Sequence, residues 1–161
     1  MASFVFNIAK GRTVEFHERV NNNDPAASAL KIVVLAEAGL ESDDVLKDYD
    51  DLGTLLAGAS AEVTNTGYAR KTLTDADLSA VTVDDVDDQA ELTFGTQTWT
   101  TVSSGDSWRK LLVVYDADTA AGTDSNIIPV SAHDLLIAGV AVVPTGTNVV
   151  VSLPTGYLIA T

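Results

Sequence analysis

Cysteine is absent from the 161-residue chain, which excludes disulfide frameworks, thiol nucleophiles and zinc sites built on thiolates. A chain of this length buries roughly 68–70% of the surface its unfolded form exposes, so one domain can hold together without such staples. Basic residues are also scarce, 9 against 23 acidic ones, for a formal net charge of −14. Phosphate binding draws its free energy from clustered Lys and Arg. A body this acidic therefore argues against DNA, RNA and anionic membranes as partners. Long apolar runs are missing too. Leu135 to Val143 is the most apolar stretch, and it ends at Pro144, well short of the about 20 residues a membrane helix needs. The opening MASFVFNIAKGR lacks the basic start and long apolar core of a secretory signal. The expectation is a soluble protein.

What is present is unevenly distributed. Residues 1–31 carry Lys10, Arg12, Arg19 and Lys31 against Glu15, Glu18 and Asp24, whereas the rest of the chain holds five basic and twenty acidic residues. An acidic body thus has a mildly basic front end. In that front end Phe6, Ala9, Thr13, Phe16 and Val20 recur at helical spacing, and Asn21 to Pro25 supplies a stop. A second helix is expected near 42–57. Ser42 would cap it, Asp43 and Asp44 would face the positive end of its dipole, Val45, Tyr49, Leu52 and Leu56 would form the stripe, and Gly58 would end it.

The remainder reads mainly as strand. Leu30 to Ala36 and Leu111 to Tyr115 are apolar runs suited to strands covered on both faces. Tyr68 to Leu73, Leu92 to Phe94 and Gln97 to Val102 are thinner, Thr-rich candidates. Ile137 to Val143 and Asn148 to Leu153 flank a Pro-Thr-Gly-Thr loop, a hairpin pattern. Tyr157 to Thr161 is apolar and is expected to be tied into a sheet or an interface. The sum is an α+β fold, mainly antiparallel β in a sandwich-like sheet, with an N-terminal helix and one further helix. Residues 1–24 would form a helical arm or docking segment, and 25–161 a single β-rich domain.

Catalytic patterns are thin. His17 and His133 are the two histidines. Ser131, His133 and Asp134 crowd triad residue types into one segment, although triads converge from separate loops and no G-x-S-x-G elbow accompanies them. The simpler reading makes His133 a loop residue bonded to backbone. The acidic clusters Asp43-Asp44, Asp48 to Asp51, Asp84 to Asp88 and Asp116 to Asp118 make calcium conceivable, but none has the spaced ligands of a calcium loop. Solvated acidic loops explain them more simply. Phosphate-cradling glycine motifs are absent. For sugar binding, Trp99 and Trp108 are the largest stacking faces. No catalytic residue, metal site or cofactor is assigned.

Four stretches carry a resemblance: FVFNIAKGR near the start, GYARKTLTDADL at 67–78, TWT at 98–100 and KLLVVYDADTAAGTDSNIIPVSAHD at 110–134. In that succession the chain resembles small virion proteins of tailed bacteriophages, regarded as head decoration or minor capsid proteins. Ser79 to Glu91 departs most from it. The resemblance implies a non-enzymatic protein, made in the host bacterial cytoplasm and located in the virion on the capsid surface. Its implied partners are the major capsid protein and further copies of itself on the particle. Phe4, Phe6, Arg12, Phe16 and Arg19 are the candidate docking residues, the competing reading being that the phenylalanines pack internally. A tail or head–tail junction component is the alternative, and a carbohydrate-binding or cell-wall-degrading module a more distant one.

Overall fold

A computed structural model describes residues 3–86, 89–153 and 158–160. Its centre is a five-stranded antiparallel sheet in the order β1-β8-β7-β2-β3. The two inner strands are the long apolar runs, β2 (Ala29–Ala36) and β7 (Trp108–Asp116), paired along their length. Beside them lie β3 (Lys71–Leu73) and β8 (Ile128–Asp134), and β1 (Ser3–Val5) closes the edge against β8. Alternation along a strand sends successive side chains to opposite faces, and here both faces are dry. Leu30, Ile32, Val34, Leu111, Val113 and Tyr115 enter one cluster, and Val33, Leu35, Leu112 and Val114 enter the other. That is why these runs are apolar throughout rather than alternating. The expected α+β fold, mainly antiparallel, is what forms.

Different material covers the two faces. Over the first lies helix α1 (Thr13–Asn21), which contributes Phe16 and Val20, together with small antiparallel pairings of shorter strands. These are β4 (Thr82–Asp84), β5 (Gln89–Leu92), β6 (Gln97–Trp99), β9 (Leu136–Ile137), β10 (Val140–Ala141), β11 (Val149–Val151) and β12 (Leu158–Ala160). Over the second lie α2 (Asp43–Leu46) and α3 (Leu52–Ala57), which supply Leu46, Leu52 and Leu55, with Phe6 between them and the sheet. The apolar C-terminal run is tied into a sheet as far as Leu158–Ala160, which pairs with β5. Tyr157 and Thr161 lie outside the described residues.

Four expectations are corrected. The N-terminal stripe is not one helix. Phe6 stands between β1 and a single 3₁₀ turn (Asn7–Ala9), and Gly11, at φ +77°, turns the chain before α1 begins. A left-handed residue cannot continue a right-handed helix. As a result Phe6 and Phe16 lie in different clusters, on opposite faces of the sheet. The 1–24 segment is accordingly no separate arm, because it supplies an edge strand and core side chains.

The helix near 42–57 is two short ones. Asp51 accepts a hydrogen bond from the Thr54 amide at 2.7 Å and so caps a new start, a position side-chain acceptors favour. The chain between them carries the Asp48-Tyr49-Asp50-Asp51 cluster. Ser42 makes no side-chain cap bond, and Val45 is exposed while Leu46 is buried.

The expected hairpin around Pro144 does not form either. Ala138 (φ +52°) and Gly139 (φ +84°) close a two-residue turn between β9 and β10, the left-handed pair that strand twist favours. β11 instead pairs with β6. Fourth, His133 belongs to strand β8 and not to a loop.

Candidate interaction surface

The proposed docking residues divide by exposure. Phe6 and Phe16 are core residues, 0% and 1% exposed, so neither can reach a partner in the folded chain. Phe16 stacks on Tyr115 with ring centroids 4.8 Å apart. Phe4 is half-buried, tilted against Phe6 at 5.2 Å, with the Lys47 and Lys110 ammonium groups near its ring. Arg12 and Arg19 do remain accessible. Both bond Glu15 at 2.9 Å along α1, and the Arg12 guanidinium also covers the Phe16 ring. The hydrogen bond from Arg12, joined by that from Arg19, pulls the Glu15 carboxyl down to about 2. Lys10, bonded to Asn7, with Arg12 and Arg19 against Glu15 and Glu18, leaves this corner with one net positive charge.

The residues with reactive potential are spent inside the molecule. Ser131 Oγ and His133 Nε2 lie 3.0 Å apart, a closer relation than the segment suggested. Residues two apart on a strand share a face, so their adjacency follows from the strand itself. Both are buried, between β7 and the edge strand β1.

Lys110, 2% exposed, donates to Asp134 at 2.6 Å and pairs with Asp43 of α2 at 2.9 Å. A buried ammonium without such partners would cost several kcal/mol, so this triad pins α2 to the sheet. At the other end of the same face Arg70 bridges Glu62 and Asp124, and Lys31 pairs with Asp116. The Arg70 hydrogen bond lowers the Asp124 carboxyl. The Tyr68 hydroxyl is buried and donates to Glu62, and burial raises its pKa.

The acidic loops are mostly solvated, with Asp44, Asp48, Asp50, Asp85 and Asp118 exposed and Asp116 buried. Asp116, Asp118 and Asp106 accept hydrogen bonds from backbone amides of their own or neighbouring loops. Among the described residues no group of three His, Asp or Glu side chains is placed to hold a metal ion. Asp87 and Asp88 lie outside the described residues. Trp99 and Trp108 pack edge to face at 5.2 Å, each almost wholly buried. Their indole nitrogens donate to the Ala69 carbonyl and the Asn65 side chain. Neither offers a face to a sugar.

The surface that stands out was missed in the sequence. Of the seven strongly exposed large hydrophobics among the described residues, four gather at one end: Ile137, Val140, Val143 and Val150. Ile137, Val143 and Val150 line a groove of ≈ 320 Å³ whose walls also include Leu135, Pro144, Val149 and Val151. The β11 wall pairs with β6 on one side and makes no further backbone hydrogen bond among the described residues. A signal for this surface exists in the sequence. From Leu135 to Thr161 there is no Asp, Glu, Lys, Arg or His, in a chain of net charge −14. The reading as a hairpin did not say which of these side chains stay in water, as Ile137, Val140, Val143 and Val150 do.

Comparison with protein-family models, with curated proteins and with solved structures finds no match to this chain.

Proposed function

We propose that the chain is a non-catalytic structural protein of a tailed-phage particle, decorating and bracing the outside of the capsid by binding the major capsid protein. The observation that carries this reading is the cationic turn formed by Lys10, Arg12 and Arg19 around Glu15. It is exposed on a body where Lys31, Arg70 and Lys110 are each paired with carboxylates at the sheet. Such a patch steers and orients an acidic protein partner. It replaces the phenylalanine anchors, since Phe6 and Phe16 are occupied in the core and only Phe4 can add apolar contact at the margin. The resemblance to small virion proteins supplies the particle as the setting, and the internally satisfied Ser131–His133 pair is consistent with a role without catalysis.

Co-sedimentation with undecorated capsids tests the reading. The double variant Arg12→Glu/Arg19→Glu, checked for folding by circular dichroism, is expected to lose binding that the parent chain shows. Undiminished binding removes the α1 face from the contact. Hundreds of copies per particle place the protein on the capsid, while about a dozen or fewer would favour the head–tail junction or tail. A hydrolytic activity that disappears in Ser131→Ala or His133→Ala would overturn the structural role altogether.

A further inference from the structure

We infer that the charge-free end of the molecule is a self-association surface, and that its occupant is the same end of a second copy of this chain. The argument starts from charge. Each copy carries a net −14, so most ways of bringing two copies together set carboxylates against carboxylates, which costs free energy. The face built from β9, β10 and β11 is the exception, because residues 135–161 contribute no charged side chain to it. A partner of opposite charge would be met by acidic residues around its footprint. A partner that is itself acidic is best met by a surface with none, and the same end of another copy satisfies that on both sides of the contact.

Shape agrees with this. Val140 and Ile137 are direct cross-strand partners at the tip of the β9–β10 hairpin, so their side chains stand together on one face. They are 64% and 69% exposed and form an apolar knob. Immediately beside the knob lies the groove of ≈ 320 Å³, lined by Val143, Pro144, Val149 and Val151 among others. A knob next to a groove is self-complementary about a twofold axis, where the same patch serves both partners. Each hairpin tip seats in the other copy's groove, and Ile137, Val140, Val143 and Val150 leave water together. The resulting dimer stands independently of any capsid contact, because α1 and its cationic turn are not part of this face.

The mechanism carries a salt signature opposite to that of an ion-paired interface. Attraction comes from apolar burial, which salt does not screen, while the long-range repulsion of two acidic bodies is screened within roughly 10 Å at 0.1 M salt. Dimerisation should therefore tighten as salt rises.

Sedimentation velocity on the full chain, from low micromolar to about 100 µM and from about 20 to about 500 mM sodium chloride, a span over which the screening length shortens several-fold, reads this directly. The expected result is a monomer–dimer equilibrium that shifts toward dimer with salt. Val140→Asp and Val150→Asp, with unchanged circular dichroism, should each weaken it by about a hundredfold or more. Val45→Asp, an exposed valine on α2, should leave it unchanged. A chain that stays monomeric at the highest concentration and salt overturns the inference. So does a dimer that Val140→Asp leaves intact or that dissociates as salt rises. If the chain stays monomeric and Val140→Asp abolishes capsid co-sedimentation, the surface belongs to the capsid protein instead.

Discussion

The sheet face beneath α2 and α3 and the end formed by β9, β10 and β11 solve opposite problems. The first holds much of the molecule's buried charge. Lys110 lies between Asp134 and Asp43, Arg70 between Glu62 and Asp124, and Lys31 against Asp116. Each cation there has a carboxylate partner, because an unpaired ion under a helix layer would cost more than the fold can absorb. The second region has no ions at all, yet leaves large aliphatic side chains in water. The cations taken inside have carboxylate partners, whereas these aliphatic side chains have no cover. The ion-paired face is thus internally compensated, and the charge-free end is the surface we propose for a second copy.

The contrast is broken most severely at the N-terminus, which joins the two sides of the sheet. Deleting residues 1–24 removes β1 and the core side chains Phe6, Phe16 and Val20. That loss should exceed a typical stability margin of roughly 5–15 kcal/mol, and far-UV circular dichroism should show an unfolded chain. A cooperatively folded truncation would restore the independent arm that the structure argues against.

Next in size is the centre of the ion-paired face. Lys110→Met leaves Asp134 buried beside Arg109 alone, and urea unfolding should register a loss of about 3–5 kcal/mol. Adding Asp134→Leu should return a good part of it, since an apolar pair carries no desolvation cost. A loss in the double variant equal to or larger than that in the single one would mean that the triad stabilises through more than mutual neutralisation.

A smaller effect is expected at the rim of that face. The hydrogen bond from Arg70 holds the Asp124 carboxyl below its ordinary range. A carboxylate with a depressed folded pKa contributes fully above its unfolded value and loses that contribution as pH falls through the folded one. The parent protein should thus lose this increment progressively below about pH 4, while Asp124→Asn should lack it at neutral pH and show a flatter acid limb. The side chain is 38% exposed, so solvent screening limits the difference to about 1 kcal/mol. Equal acid limbs in thermal melts would show that the Arg70–Asp124 pair contributes nothing measurable.

The smallest change belongs to the other region. Val140→Asp should alter the unfolding free energy of the dilute monomer by no more than about 0.5 kcal/mol, as surface substitutions usually do. A larger loss would mean that the hairpin is part of the core and not a free surface, which sharpens the distinction between the two ends.

Much of this architecture was legible in the amino-acid order. β2 and β7 announce themselves as doubly covered strands because both of their faces are apolar, and Asn21 to Pro25 ends α1 where local backbone rules say it must. The expected helices failed where one residue changed the path of the chain. Gly11 turned a periodic stripe into a strand, a 3₁₀ turn and a separate helix, and Asp51 capped a second start inside an apparently continuous segment. A stripe records which residues prefer to be buried, not which face buries them, so Phe6 and Phe16 could share a period and still end on opposite sides of the sheet. The proposed self-association surface shows the same division. Absence of charge after Asp134 is a property of the sequence. Whether those valines meet the core or the solvent depended on the Ala138–Gly139 turn and on β11 choosing β6 as its partner. Strand pairing between distant segments is won by the competition of all available edges, and that competition takes place only once the whole chain has collapsed.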